Sequence, residues 1–155
     1  MLASPDMASA PREVWGDLAT TAFVEASHLF KSLEPDTLRD LLQLARVVSF
    51  APGETVSGES DDGFHLVMEG AAAMLVATPN GPVEIARLER GAFFGEDRVL
   101  GGGRRASLVA ASDATLVAFP APVIAAMGER FPKLKKLLET VLAARERNAA
   151  QKVAS

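Results

Sequence analysis

The sequence contains no cysteine, and it has only two histidines, His28 and His65, among its 155 residues. The missing thiols exclude disulfide bonds, thiolate zinc sites and cysteine nucleophiles together. With two imidazoles in the whole chain, metal sites built on several histidines are excluded as well.

Basic residues are also fewer than acidic ones. Lys and Arg number 16 against 20 Asp and Glu, so the formal net charge is −4. Surfaces that bind nucleic acid are usually marked by clustered Lys and Arg. We therefore expect no nucleic-acid partner, although a small local basic pocket is compatible with this balance.

Long hydrophobic runs are absent too. The N-terminus has no basic start followed by an apolar stretch, which argues against a secretory signal. The longest nearly apolar segment, residues 114–127, is interrupted by Pro120 and Pro122 and is too short to span a bilayer. We therefore expect a cytoplasmic protein with no membrane partner.

The residues that are present suit a single globular domain, since 48% are hydrophobic and 23% are charged. Residues 1–19 form a lead-in without clear periodicity, expected to be loose with one helical turn around Trp15. We take 20–155 as one domain, with helices over 20–46, strands over 47–119 and helices over 120–152.

Helix boundaries follow from particular residues. The segment Glu34-Pro35-Asp36 predicts a helix start, with proline at the first position and an acid in the first turn. A later short helix is expected to end near Gly128, and Phe131-Pro132 to open the last helix. The apolar stripe of that last helix comprises Leu134, Leu137, Leu138, Val141 and Leu142, and it is either core or a dimer seam.

Between residues 47 and 119, short apolar runs are separated by glycine and proline at close intervals. This spacing is typical of a small antiparallel barrel or sandwich. The predicted fold class is α+β, mainly β: an antiparallel, jelly-roll-like β-roll of about eight strands, flanked by N-terminal and C-terminal helices.

The segment 93–110 carries the candidate chemistry. Gly95 permits close backbone approach to a ligand, and about one helical turn from Glu96 to Leu100 offers free N–H groups to an anion. Arg104 could hold a phosphate through two parallel hydrogen bonds, with the Ser107 hydroxyl nearby. The alternatives are a surface Arg104 paired with an acid, a helix-start Glu96 and a plain strand hydroxyl at Ser107.

The same residues resemble the phosphate-binding cassette of the cyclic-nucleotide-binding domain family, found in catabolite activator proteins, protein kinase regulatory subunits and cyclic-nucleotide-gated channels. The matching stretches are Phe94-Gly95-Glu96 and Arg104-Arg105-Ala106-Ser107-Leu108-Val109-Ala110. Upstream, Pro52-Gly53-Glu54 and the segment 64–70 look like the family's β-roll. The resemblance covers roughly residues 22–145.

This resemblance implies roles for individual residues. Glu96 would accept a hydrogen bond from the ribose 2′-hydroxyl, Arg104 would pair with the exocyclic phosphate oxygens, and Ser107 would donate to the phosphate or face the purine. The expected ligand is cAMP before cGMP, with no metal and no catalytic residue. The candidate ligand-binding residues are Phe94, Gly95, Glu96, Asp97, Arg104, Arg105, Ala106 and Ser107.

Several positions depart from the family's pattern. Asp97 and Arg98 stand where apolar or small residues are usual, so Asp97 could repel a phosphate and Arg98 either pairs with it or adds a cation. Arg105 replaces a small residue, and the loop Gly101-Gly102-Gly103 costs entropy to order.

The last helix is expected to supply a lid over the base. Family members often carry an aromatic or polar residue there, and this chain has no aromatic after Phe131. Arg145, Asn148 and Gln151 are the candidate lid residues.

We expect a non-enzymatic sensor in which the ligand moves the C-terminal helices, with output through a homodimer or a protein effector bound by the last helix. A transcription factor lacking its DNA-binding part is also compatible with the residues. The alternative is a degenerate fold without ligand, its pocket empty or filled by Asp97 or Arg105, serving as a protein–protein interaction module. A cupin-like metal site at His65 and Glu69 lacks further ligands, and we expect His65 to be a solvent-facing strand residue.

Overall fold

Helices stand at both ends of the chain and strands lie between them. The computed structural model describes residues 12–13, 17–101 and 105–154, so the turn predicted around Trp15 lies outside the described residues. The helices are α1 Leu18–Ala26, α2 Pro35–Leu44, α3 Glu96–Leu100, α4 Ala121–Arg130 and α5 Pro132–Ala154. The strands are β1 Arg12–Glu13, β2 Arg46–Phe50, β3 Thr55–Ser57, β4 Gly63–Glu69, β5 Ala72–Val76, β6 Val83–Leu88, β7 Phe93–Phe94, β8 Ser107–Ala110 and β9 Ala114–Pro120.

The helix starts agree with the sequence, and one helix end does not. Helix α2 has Glu34 as its N-cap and Pro35 in its first turn, and α5 begins at Pro132. The predicted stop at Gly128 is wrong, because α4 continues to Arg130 and is capped at Phe131. The ring of Pro132 removes one N–H donor and allows a new helix axis to start there.

The strands form two antiparallel sheets, which confirms the predicted β-roll. One sheet has the order β1-β2-β9-β4-β7 and the other the order β3-β8-β5-β6. Strands β3 and β7 are short, at three and two residues. Strand β1 comes from the lead-in and pairs with β2 through Arg12↔Val47 and Glu13↔Arg46.

Two hydrophobic clusters lie on opposite sides of the first sheet. The helix-side core joins α1, α2, α4 and α5 to side chains such as Phe64, Leu66 and Phe93. The roll interior contains Val67 and Phe94 together with side chains of β5, β6 and β8. Because side chains alternate along a strand, β4 and β7 each contribute one face to each cluster.

Helix α5 connects the two clusters. Leu134 and Leu138 are buried in the helix-side core, whereas Ala149 is buried with the roll interior. Along the way the helix contacts α3 and then β6, the last strand of the four-stranded sheet. The far half of α5 therefore lies beside the segment that the sequence marks as the candidate site.

Candidate functional site

The candidate segment runs from β7 through α3 to the start of β8. The predicted helical turn at Glu96–Leu100 is confirmed. Arg104, the predicted phosphate ligand, lies outside the described residues, so its role stays a prediction. The described parts are 93–101 and 105–110.

Gly95 gives this segment its close fit against strand β4. Its φ of +115° is a left-handed conformation that favours glycine. A Cβ atom here would stand 2.7 Å from the Gly63 carbonyl oxygen and 3.0 Å from Phe64 Cα. Both neighbours are backbone, so a side chain cannot be accommodated by a rotamer change. The preceding Phe94 is buried in the roll interior.

Glu96 is buried, at 1% exposure, and faces the last helix. Arg145 Nη1 on α5 donates to Glu96 Oε1 over 2.6 Å, and the Arg145 guanidinium also lies 5.4 Å from the centre of the Phe93 ring. The other carboxylate oxygen, Oε2, is buried without a hydrogen-bond partner among the described residues. A buried carboxylate oxygen without a donor is costly, so Oε2 is suited to accept a hydrogen bond from a ligand hydroxyl.

Asp97 pairs with its neighbour Arg98 rather than pointing at a bound anion. Arg98 Nη1 lies 2.8 Å from Asp97 Oδ2, and the two side chains are 0% and 3% exposed. The Arg98 guanidinium stacks 4.7 Å from the centre of the Phe94 ring. Of the two arrangements left open by the sequence, the structure therefore has the ion pair.

The side chain of Arg105, in the second half of the segment, is bonded to the connection between β3 and β4. Arg105 Nε donates to the Glu59 carbonyl oxygen over 2.7 Å, and Nη2 contacts Asp61 O and Asp62 Oδ1. Its predicted ligand contact stays a prediction. Ala106 is buried in the roll interior, and Ser107 opens β8 half-buried.

His65 is buried, at 7% exposure, so the prediction of a solvent-facing histidine is wrong. It alternates with Phe64 on β4 and thus shares the inner face with Val67, opposite Phe94 on β7. Burial, reinforced by the positive charge of Arg98 and opposed by Asp61, lowers the pKa of His65 to about 4 from 6.5. It is therefore neutral at neutral pH, and its Nδ1 has no partner among the described residues.

The predicted lid residues divide between two roles. Arg145 reaches Glu96, whereas Asn148 Nδ2 donates to the Ile85 carbonyl oxygen on β6. Gln151 is exposed one turn further along α5. Helix α5, which the sequence suggested as a lid over a base, is thus bonded both to the candidate segment and to β6.

Within residues 12–13, 17–101 and 105–154, no group of three or more metal-ligating side chains is placed to hold an ion. Across the same residues, no helix combines the length and the apolar character needed to cross a membrane.

Comparison with known proteins decides the family. The family model described as "cyclic nucleotide-binding domain" matches residues 47–131, which is more than half of the chain. The chain belongs to the cyclic nucleotide-binding domain family. The matched residues include the whole of the described segment 93–110 and all strands from β3 to β9.

Among curated proteins, a cyclic nucleotide-gated potassium channel of Mesorhizobium japonicum is 36% identical over 91 residues, which are 57% of this chain and 24% of the channel. The crystal structure of the Thermus thermophilus catabolite activator protein matches with a TM-score of 0.62 and 28% identity, over 81% of this chain and 61% of that one. This cyclic nucleotide-binding domain thus spans about a quarter of the channel's length.

The sensor domain of the transcriptional regulator DNR from Pseudomonas aeruginosa matches with a TM-score of 0.70 at 20% identity, over 89% of this chain and 95% of that one. At this identity the likeness shows the fold alone.

The sequence marked the candidate segment 93–110 but did not show how it is held. The five hydrogen bonds of Arg98 join groups that are up to 40 residues apart in the chain. Only the adjacency of Asp97 and Arg98 pointed towards them. The partner of Glu96 was named as a lid candidate, but for contact with a base.

Proposed function

We propose that this domain binds a 3′,5′-cyclic nucleotide, cAMP before cGMP, as a non-enzymatic sensor. The proposal rests on the hydrogen bonding of the Glu96 carboxylate in a chain that belongs to this family. One of its oxygens is paired, and the other is buried and has no partner among the described residues. A ribose 2′-hydroxyl would supply the missing donor to Oε2.

In this proposal, Arg104 binds the phosphate group of the ligand. Its place two residues before Ala106 matches the cassette arginine of the family, and the charge of a guanidinium suits the exocyclic phosphate oxygens. Asp97 does not oppose this role, because its carboxylate is neutralised by Arg98. Ser107 lies at the start of β8, where its hydroxyl is available to the phosphate or the purine.

The signal passes to α5 through Glu96. Arg145 holds one oxygen of the same carboxylate whose other oxygen takes the ribose, so the ligand and the helix share one side chain. If the bound nucleotide has different affinities for two arrangements of α5, binding shifts the population between them. Output through a homodimer or an effector protein on α5, and a cytoplasmic location, stay predictions.

Calorimetric titration with cAMP and cGMP tests the binding itself. We expect saturable binding to the wild type and a loss of at least about 30-fold in affinity for Arg104→Ala, because a buried phosphate loses its charge partner. Arg39→Ala removes an exposed arginine of α2 and serves as the matched control. Equal affinity in the wild type and Arg104→Ala would disprove the phosphate role.

The ribose contact is tested with 2′-deoxy-cAMP. The wild type should bind cAMP about 10-fold or more tightly than the deoxy compound, since a hydrogen bond to a carboxylate is lost. Glu96→Gln should reduce this preference. The same preference in the variant would place the 2′-hydroxyl elsewhere.

Helix movement can be measured directly because the chain has no native cysteine. Spin labels on Asn80→Cys and Ala150→Cys, both exposed positions, report the distance between the roll and α5. Cyclic nucleotide should change the distance distribution in the wild-type background. An unchanged distribution at saturating ligand would leave a binding domain without the proposed coupling.

The alternative function is a domain that binds partner proteins without a nucleotide. The Glu96–Arg145 ion pair favours it, because the chain itself supplies a partner to the ribose-binding carboxylate. A site with a micromolar dissociation constant would stabilise the fold by about 4 kcal/mol at a thousandfold excess of ligand. The absence of any thermal shift at millimolar cAMP and cGMP would favour the interaction module.

A further inference from the structure

The guanidinium of Arg98 donates to protein oxygens from all three of its nitrogens. Nε donates to Asp61 O over 3.0 Å, and Nη2 donates to Gly58 O over 2.8 Å and to Ala106 O over 2.7 Å. Nη1 donates to both oxygens of Asp97, over 3.0 and 2.8 Å. The two Asp97 contacts share one N–H of Nη1, because the carboxylate oxygens lie too close together for two diverging N–H bonds to reach them. Four of the five N–H donors of the guanidinium are thus bonded to protein oxygens.

These bonds join three pieces of backbone at one point. Gly58 and Asp61 belong to the connection between β3 and β4, Asp97 lies in α3, and Ala106 directly precedes β8. The two described halves of the nucleotide-binding segment, 93–101 and 105–110, are thus attached to the same side chain and through it to the connection 58–61.

The surroundings of Arg98 keep its charge in place. Its side chain is 0% exposed and is covered on one face by the Phe94 ring. The charged or titratable groups near it are the carboxylate of Asp97, the neutral imidazole of His65 and the guanidinium of Arg105, which donates to the same Asp61 carbonyl oxygen. A buried cation that is paired with a buried acid and bonded to three carbonyl oxygens is costly to move.

We propose that Arg98 is a positioning residue that fixes both halves of the nucleotide-binding segment before any ligand arrives. It does not touch the nucleotide in this proposal, because its side chain is 0% exposed and all three of its nitrogens donate to protein oxygens. The predicted effect of Arg98 on nucleotide binding rests on the proposed function. Its predicted effect on the order of the ligand-free segment does not.

The proposal has a kinetic consequence that a general loss of stability lacks. When only a fraction of molecules holds the segment in its binding geometry, the apparent dissociation constant rises by the inverse of that fraction. Without Arg98 this fraction falls, so ligand associates more slowly with a protein that is still folded.

Four variants separate positioning from simple destabilisation. Arg98→Met removes the donors, and Arg98→Lys keeps the charge but places its donors on one nitrogen that cannot span the three carbonyls. Arg87→Met removes an exposed arginine paired with Glu84. Val117→Ala lowers stability in the helix-side core, where Val117 is fully buried.

The first measurement is hydrogen exchange on the ligand-free proteins. Arg98→Met should raise exchange about tenfold or more in 57–63, 94–101 and 105–107 as the held fraction falls, without a matching rise in β9. Arg98→Lys should lie between the wild type and Arg98→Met. Arg87→Met should match the wild type.

The second measurement is the association rate of a fluorescent cAMP analogue. It should fall about tenfold or more in Arg98→Met, fall less in Arg98→Lys and stay unchanged in Val117→Ala. Exchange and association within about twofold of the wild type in Arg98→Met would overturn the proposal. If Arg98→Met does not fold, the same criterion is applied to Arg98→Lys. If the wild type binds no cyclic nucleotide, the proposed function fails, and exchange alone decides the role of Arg98.

Discussion

Arg98 and Arg145 are both bonded to acids of the candidate segment 93–110, and they are held in different ways. Arg98, on the roll side, is 0% exposed and donates to protein oxygens from all three of its nitrogens. Arg145, on the helix side, is 12% exposed and meets Glu96 through one carboxylate oxygen, while the other oxygen has no partner in the described part of the chain. The roll side is held by many hydrogen bonds, whereas the helix side leaves one buried acceptor, Glu96 Oε2, without a partner among the described residues.

The largest effect is expected when the contacts of Arg98 are removed. Arg98→Met should lower the free energy of unfolding by about 3–5 kcal/mol, because the buried Asp97 carboxylate loses its cation. Urea denaturation measures this loss, and Arg87→Met, on the exposed face of β6, should leave the midpoint unchanged. A loss under about 1 kcal/mol would mean that Arg98 is not part of a fixed side.

The pH dependence of stability tests whether the fold keeps His65, beside Arg98, neutral. His65 titrates near pH 4 when folded and near 6.5 when unfolded, so the unfolded state takes up a proton first as the pH falls. The stability contributed by keeping His65 neutral is fully present above pH 6.5 and is lost as the pH falls towards 4. The free energy of unfolding falls by about 3 kcal/mol in total over this range.

Urea denaturation between pH 7 and pH 4 measures this contribution. His65→Asn should flatten the dependence, while His28→Asn, which changes the exposed histidine, serves as the control. Parallel curves for the wild type and His65→Asn would show that His65 is not held neutral beside Arg98.

A smaller effect is expected on the helix side. Arg145→Met should cost about 2 kcal/mol, because the Glu96 carboxylate loses a charged hydrogen bond, and it should raise hydrogen exchange in the far half of α5. Arg147→Met, an exposed arginine on the same helix, is the control. In a double-mutant cycle with Glu96→Gln the two losses should be non-additive; additive losses would mean that this pair does not hold the helix.

The smallest effect concerns the other attachment of α5. Asn148→Ala removes the hydrogen bond to the Ile85 carbonyl oxygen and should cost about 1 kcal/mol. Hydrogen exchange should rise in residues 144–153 and stay unchanged in 57–63. An equal rise in both segments would contradict the separation of the helix side from the roll side.

Much of the fold was predictable because its signals are local. Pro35 and Pro132 mark helix starts through their own geometry, and glycines punctuate the strands. The turn Glu96–Leu100 followed from a glycine before an acid. Gly128 misled because glycine permits a helix to end without requiring it, and here the helix continues to Arg130.

The contacts that hold the site were less predictable because they are distant in the chain. Arg98 meets Gly58 across 40 positions, and Arg145 meets Glu96 across 49. His65 was placed outside because alternation on β4 identifies one buried face. That strand is covered on both faces, by helices on one side and by the roll interior on the other, so alternation no longer separates core from solvent.

The position of α5 along β6 has a consequence for solubility. Strand β6 ends its sheet, and the bond from Asn148 to Ile85 occupies one of its outward carbonyl groups. Exposed strand borders recruit strands of other molecules and seed aggregates. If α5 moves on ligand binding as proposed, a movement that breaks the Asn148–Ile85 bond would uncover this edge of the sheet to neighbouring copies.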